Sequence, residues 1–211
     1  MGRFITIEGV EGSGKSTLAK RVAAEVSHLF PEVVLTREPG ATAIGKEIRS
    51  LVLAEKEQGL TPLAELFLFA ADRAQHLEEV VRPALSRGAL VLCDRFVDSS
   101  YAYQGYGRGL DMTLLRDTMR LATGGLIADL VVLLDLDPEI GLDRARARES
   151  EDPGKWTRFE ADTLEFHRRI RAGFLELARV EPTRFLVVDA TLPPEDVAKR
   201  VTERIAAMGQ A

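Results

Sequence analysis

The segment Gly9-Val10-Glu11-Gly12-Ser13-Gly14-Lys15-Ser16 follows a short apolar run, Phe4 to Ile7, and opens into a helical stretch that begins Thr17-Leu18-Ala19. It matches G-x-x-x-x-G-K-[ST] in the setting that pattern requires, a strand before it and a helix after it. Glycines there let successive backbone N–H groups point at one oxyanion, and the helix N-terminus adds its positive end. Gly9 through Thr17 are therefore expected to cradle the phosphates of a nucleoside triphosphate. Lys15 reaches the outer phosphates and the Ser16 hydroxyl ligates Mg²⁺. The plain alternative is a chance glycine-rich turn, which the flanking strand and helix argue against.

Four further apolar runs repeat the first: Val33 to Thr36, Ala89 to Cys93, Leu130 to Leu136 and Phe185 to Val188. Each is nearly continuous in apolar character, as a strand covered on both faces should be. Helical spacing fills the gaps, near Lys15 to His28, Ala43 to Ala54, Pro62 to Leu85, Thr113 to Ala122, Pro138 to Arg148, Glu160 to Arg179 and Pro194 to Met208. Asp137-Pro138-Glu139 carries a capping acid, a first-turn proline and a first-turn acid. Strand and helix alternate throughout, which predicts an α/β fold: a doubly wound, parallel, five-stranded sheet with helices on both faces and ligands at the carboxyl ends of its strands. With no repeat or Pro/Ser-rich linker, one domain over 1–211 is expected.

Composition narrows the chemistry. The chain has 211 residues, 45% hydrophobic and 29% charged, enough for a sizeable core with a soluble surface. Its net charge of −5 argues against nucleic acid as the main partner, so any basic site must be local. No stretch approaches the roughly 18 apolar residues of a membrane helix, and the opening Met1 to Gly9 has no leader-like pattern; a cytoplasmic enzyme without a membrane partner is expected. A single cysteine, Cys93, and scattered His28, His76 and His167 exclude an internal disulfide and zinc-ligand spacing. The chain contains no asparagine, so it lacks the Asn-Lys-x-Asp element with which switch GTPases read guanine. ATP is the expected nucleotide.

Beyond the cradle lie three chemistry-bearing clusters. The second run ends Thr36-Arg37-Glu38-Pro39-Gly40-Ala41-Thr42. The following long helix carries Phe67-Leu68-Phe69-Ala70-Ala71-Asp72-Arg73. The third run ends Asp94-Arg95-Phe96-Val97-Asp98-Ser99-Ser100-Tyr101-Ala102-Tyr103-Gln104-Gly105. An acid at a strand's carboxyl end, Asp94, is placed to support Mg²⁺, and Arg95 can clamp a second phosphate with a bidentate fork. Phe69 and Arg73, four apart, share a helix face, so a ring can stack on a base whose exocyclic carbonyl the guanidinium reaches. Read alone, Phe69 is ordinary core in the stripe of Leu66, Leu77 and Val80, and Arg49 is a solvated helix charge.

These clusters, with Glu11 in the cradle, resemble the thymidylate kinase family of P-loop nucleoside monophosphate kinases, from residue 3 to about residue 190. The T-R-E-P-G-G-T, F-A-A-x-R and D-R-[YF]-x-x-S-x-x-A-Y-Q segments of that family are matched, with Ala41 where a second glycine is usual. The resemblance implies transfer of a phosphoryl group from MgATP to the 5′-phosphate of dTMP, giving dTDP for dTTP synthesis, in a homodimer. It implies a monophosphate-binding region at about 37–75. It also implies substrate contacts from Glu11, Glu38, Arg49, Phe69, Arg73, Arg95, Ser99, Ser100, Tyr103 and Gln104, with Tyr103 lying where a 2′-hydroxyl would sit.

Arg144-Ala145-Arg146-Ala147-Arg148, the polar stretch Glu149 to Gly154 and Lys155 to Glu160 resemble the family's lid, at about 144–160. On a helix Arg144 and Arg148 share a face while Arg146 points away. A nucleic-acid patch is the rival reading, poorly served by arginines next to Glu149, Glu151 and Asp152. Gly12 and Ser13 leave no arginine in the cradle, so the resemblance is to the subclass whose catalytic arginine comes from the lid. Arg148 and Arg158 are its candidates and Arg146 the reserve, beside Lys15 and Arg95 as catalytic groups. The attacking phosphate oxygen is already an anion, so the task is positioning and charge neutralisation. Competing readings are a kinase for another nucleotide or nucleoside, separated by a panel of acceptors; an ATP-binding regulator, which would release no ADP in response to dTMP; and a nucleic-acid ATPase, which DNA or RNA would stimulate.

Overall fold

The computed structural model describes residues 2–54, 59–151 and 157–209. Five strands, β1 (Arg3–Gly9), β2 (Val33–Arg37), β3 (Leu90–Asp94), β4 (Leu130–Asp135) and β5 (Phe185–Asp189), coincide with the five apolar runs to within a few residues at their ends. They form one parallel sheet in the order β2-β3-β1-β4-β5. Burial explains the unbroken runs: Leu90, Val91 and Leu92 in β3 and Leu130, Val131 and Val132 in β4 are fully covered.

The helices are α1 (Lys15–Val26), α2 (Ala43–Leu53), α3 (Pro62–His76), α4 (Arg82–Ser86), α5 (Val97–Ser100), α6 (Met112–Thr123), α7 (Pro138–Glu151), α8 (Leu164–Val180) and α9 (Pro194–Gly209). The step from β1 to β2 runs one way along the sheet and the later steps run the other. Right-handed crossovers therefore put α1 on one face and the helices before β3, β4 and β5 on the opposite face. α9 packs against α1 and joins its layer. Strand order reverses around β1, the edge where doubly wound sheets bind ligands.

Two segments depart from the sequence expectation. Residues 97–107 fall in none of the stretches with helical spacing, but α5 runs straight into a π-helical stretch, Tyr101–Gly107, that packs on α8. Its Ser-Ser-Tyr-Ala-Tyr-Gln-Gly composition has weak helix propensity, so tertiary packing decides its conformation. The helix expected from Glu160 begins at Leu164, where Thr163 caps it by accepting from the Phe166 N–H at 3.2 Å. The stretch Pro62 to Leu85 is continuous as expected, but widens to a π-turn at Leu77–Val81 before Pro83, whose ring has no N–H and crowds the preceding turn. Asp137 caps α7 through the Glu139 N–H at 2.9 Å. The lid residues 152–156, including Asp152, Lys155 and Trp156, lie outside the described residues. Among the described residues no helix is long and apolar enough to cross a membrane.

Candidate active site

The carboxyl rim of the sheet brings the scattered clusters together. Register sets Ile7 beside Asp94 and Asp94 beside Arg37, so the acid ends β3 next to the loop that leaves β1. The Ser16 hydroxyl donates to Asp94 Oδ2, pairing two hard oxygen donors at the mouth of the cradle. That set suits Mg²⁺, which takes one or two protein oxygens and fills its remaining sites with water and phosphate. No cluster of three or more His, Cys, Asp or Glu side chains that could cage an ion occurs among the described residues.

Lys15 is buried at the head of α1, donating to the carbonyls of Gly9 (3.0 Å) and Val10 (2.7 Å) and to Ser13 Oγ (3.2 Å). Burial, with Arg95 nearby, brings its ammonium down to about 8. Gly12 has φ 68°, and a Cβ there would lie 2.1 Å from the carbonyl oxygen of Gly141 on α7. A Cβ on Gly141 would in turn lie 2.3 Å from the Glu11 carbonyl oxygen. The 9–16 loop and α7 thus touch backbone to backbone, a contact open only to glycine. Gly141→Ala should cost about 1–3 kcal/mol by overpacking, which is about 2–12 °C in melting temperature for a chain of this size. It should also raise the ATP KM severalfold; thermal melts and steady-state kinetics unchanged from the parent would contradict the contact.

A cleft of about 1000 Å³ extends from the cradle across the rim. Glu11, Gly12, Gly14, Lys15, Ser16 and Thr17 line it from the glycine-rich loop and the start of α1, and Asp94 and Arg95 from the end of β3. Glu38, Arg49, Phe69, Arg73, Ser99, Ser100, Tyr103 and Gln104 line it from the elements beyond β2 and β3. Gly9, Val10 and Ser13 stand behind the wall, holding Lys15. Arg95 is the one described non-glycine residue with positive φ, 72°. It persists because its surroundings over-determine it: the guanidinium donates to Gly9 O (3.2 Å), Ser99 Oγ (3.2 Å) and Glu11 Oε1 (3.1 Å) and lies 4.9 Å over the Tyr103 ring.

Glu11 also accepts from the Tyr103 hydroxyl, and His167 Nδ1 lies 3.2 Å from its other oxygen. Burial alone would raise its pKa, but the imidazole beside it and the charges of Arg95 and Lys15 outweigh that and take it to about 2. Behind Arg95, buried Glu8 accepts from the Phe96 N–H at 2.7 Å and from the Ser99 hydroxyl. Burial, and next Asp98, push that carboxyl up to about 7. Asp98 is held by both terminal nitrogens of Arg184 at 2.8 Å, which ties α5 to the start of β5.

Arg73 is buried and almost fully committed. Nε donates to Glu38 Oε2 (2.7 Å), one terminal nitrogen to Ser100 Oγ (3.0 Å) and Met119 Sδ (2.6 Å), and the other to the Phe96 carbonyl (2.9 Å). With five N–H groups in the fork, a single one is left for the cleft. Glu38 is shared between Arg73 and His76 Nδ1, 2.8 Å away, so it holds Arg73 in place as well as facing the cleft. Phe69 packs at the cleft edge, its ring centroid 6.2 Å from Phe159, while Leu66 turns to a separate cluster with Leu115 and Met119. Arg49 donates to the Pro39 carbonyl at 3.0 Å. Positive φ in this loop falls on Gly40, 106°, so Ala41 sits there without backbone strain.

The four arginines of the expected lid separate. Arg148 lines the cleft and donates to Glu160 at 3.1 Å. Arg158 instead lines a neighbouring cavity of about 660 Å³, donating to the Val52 carbonyl and, at 2.6 Å, to Glu65. Arg144 turns to the Ala190 carbonyl (3.3 Å) and Arg146 to Asp143 (2.8 Å), on different sides of α7 as helical spacing required. Sequence reasoning missed Glu8, Arg37, Glu65, Phe159, His167 and Arg184. Glu8 had a local signal, a carboxylate inside an otherwise apolar strand, and Arg37 and Phe159 lie within segments already quoted for the family resemblance.

Comparison with known proteins gives a consistent picture. A family model described as thymidylate kinase matches residues 7–201. The thymidylate kinase of Solidesulfovibrio magneticus is 52% identical over 203 residues, 94% of this chain and 96% of that protein. That of Deinococcus radiodurans is 49% identical over 208 residues, 99% of this chain and 98% of that protein. A crystal structure of thymidylate kinase from Ehrlichia chaffeensis matches with a TM-score of 0.77 at 33% identity, covering 97% of this chain and 98% of that one.

Proposed function

This chain belongs to the thymidylate kinase family, and we propose that its cleft seats ATP and dTMP end to end, so that the γ-phosphoryl group passes to the 5′-phosphate of dTMP and leaves dTDP and ADP. The observation that carries this reading is the continuity of one cleft. Lys15 and Ser16 suit a triphosphate, and Arg95, Phe69, Arg73 and Gln104 line the same cleft.

In this reading Lys15 leaves the carbonyls it now meets for the outer phosphates of ATP, and Arg95 and Arg49 hold the acceptor phosphate. Ser16 and Asp94 hold Mg²⁺, which when bound neutralises charge on the β- and γ-phosphates. Two phosphate charges about 4 Å apart repel by about 4 kcal/mol at an intermediate dielectric, so the cations convert an unfavourable meeting into a reactive one. Glu11 and Tyr103, joined by a hydrogen bond, present their edge to the acceptor's sugar. A side chain at position 12 would strike α7, which favours a lid arginine over a cradle arginine. Arg148, already in the cleft, fits that role better than Arg158. Homodimer formation and a cytoplasmic setting belong to the same proposal and rest on the family.

The test is ADP release, coupled to NADH oxidation, with dTMP, dUMP, UMP, CMP and thymidine side by side. dTMP should give the highest kcat/KM, and Arg95→Ala should reduce it by about 10²-fold or more, the scale of one lost electrostatic donor at the reacting group. No dTMP-dependent ADP release from a folded, ATP-binding protein would overturn the reading.

A further inference from the structure

We infer that Glu65, a residue on α3 outside the phosphate sites, fixes the orientation of the Gln104 side-chain amide and thereby selects pyrimidines that carry an N3–H; this rests on the cleft being the dTMP site. Glu65 and Gln104 are 39 positions apart in sequence, both are 1% exposed, and Gln104 Nε2 donates to Glu65 Oε1 at 2.6 Å. The other oxygen, Oε2, accepts from Arg158 at 2.6 Å, with Arg108 Nε 3.6 Å away. Two guanidinium groups thus compensate a carboxylate that would otherwise be an isolated buried charge.

A carboxylate so paired only accepts, so the Gln104 NH₂ group must face it. Gln104 also lines the cleft beside Phe69, Arg73 and Ser100. With one of its two N–H groups anchored on Glu65, the amide is fixed in orientation, and the carbonyl oxygen is the acceptor it presents to a base. Thymine and uracil present N3–H, a donor that this oxygen can accept. Cytosine presents N3 as a lone pair, and two acceptors then face each other in a desolvated pocket. The discrimination lies in Glu65, because an amide free to rotate would satisfy either edge. Arg73, through its remaining N–H, reads the exocyclic group independently, so loss of Glu65 should relax the choice without abolishing it.

The experiment compares wild type with E65Q, measuring kcat and KM for dTMP, dUMP and dCMP. Glutamine keeps the shape but can donate or accept, so both orientations of Gln104 become available. Expected are a rise in the dTMP KM larger than any fall in kcat, and a drop of about ten- to hundredfold in the dTMP to dCMP ratio of kcat/KM. The dTMP to dUMP ratio should stay where it was, since both carry N3–H; a merely loosened pocket would move the two ratios together. An unchanged dTMP to dCMP ratio in folded E65Q overturns the inference. If the wild type itself fails to phosphorylate dTMP, the reading of the cleft falls instead. Should E65Q not fold, wild-type protein decides by NMR. The Gln104 NH₂ resonances should exchange slowly with deuterium both before and after dTMP is added, and fast exchange or a shift of the NH₂ onto the base would overturn the proposal.

Discussion

Lys15→Ala should lower turnover by about 10²- to 10³-fold while leaving the circular dichroism and melting temperature close to those of the parent. The size follows from removing a positioned cation from charge that develops at the transferring phosphoryl group. The fold should survive because the ammonium's partners here are the Gly9 and Val10 carbonyls and Ser13 Oγ, all in the same loop and able to take up water once the side chain is gone. Burial holds the Lys15 pKa at about 8, whereas phosphate beside it favours the charged form. ATP binding above pH 8 should therefore take up a proton, and affinity should fall as pH rises beyond that point. Calorimetry in buffers of different ionisation enthalpy measures the uptake. Near-normal turnover in the variant, or no proton uptake at alkaline pH, would remove Lys15 from the reacting centre.

The second large effect concerns stability. Arg73→Met should destabilise the protein by about 3–5 kcal/mol, because it leaves Glu38 buried with one charged partner removed. For a chain of this length that corresponds to about 6–20 °C in melting temperature. Glu38 is 4% exposed and, among the described residues, keeps His76 as its remaining side-chain partner, and the Ser100 hydroxyl, Met119 sulfur and Phe96 carbonyl lose their donor as well. Methionine fills most of the volume, so the loss reports the stranded carboxylate more than a cavity. A double variant with Glu38→Gln should recover part of the loss, since the two side chains act as one unit and their effects do not add. An additive double variant, or a single variant as stable as the parent, would show that the pair contributes nothing net.

These expectations mark a boundary within the molecule. The positions and types of the five strands were legible because side-chain alternation and burial on both faces leave a continuous apolar run, a property of each segment by itself. The cradle was legible for a similar reason: its glycines, Lys15 and Ser16 act through backbone geometry within eight residues. Segment 97–107 was not legible as helix, because its local preference is weak and its conformation comes from packing on α8. The lid candidates had the same limit. Spacing separated Arg146 from Arg148, but nothing along the chain tells that Arg158 turns to Glu65 and Arg148 to the cleft.

From its residues in order, then, the chain determined a parallel α/β sheet, a glycine-rich loop between strand and helix, and the kinase family, since each depends on contacts within one element or on motif spacing. Tertiary structure decided that Glu38 holds Arg73, that Glu8 accepts from Ser99 while Glu11 braces Arg95, and that Glu65 meets Gln104. Those pairs lie between 35 and 91 positions apart. Only the strand order around β1 and the helices laid over it bring such partners to bonding distance, and burial there gives each charge its weight.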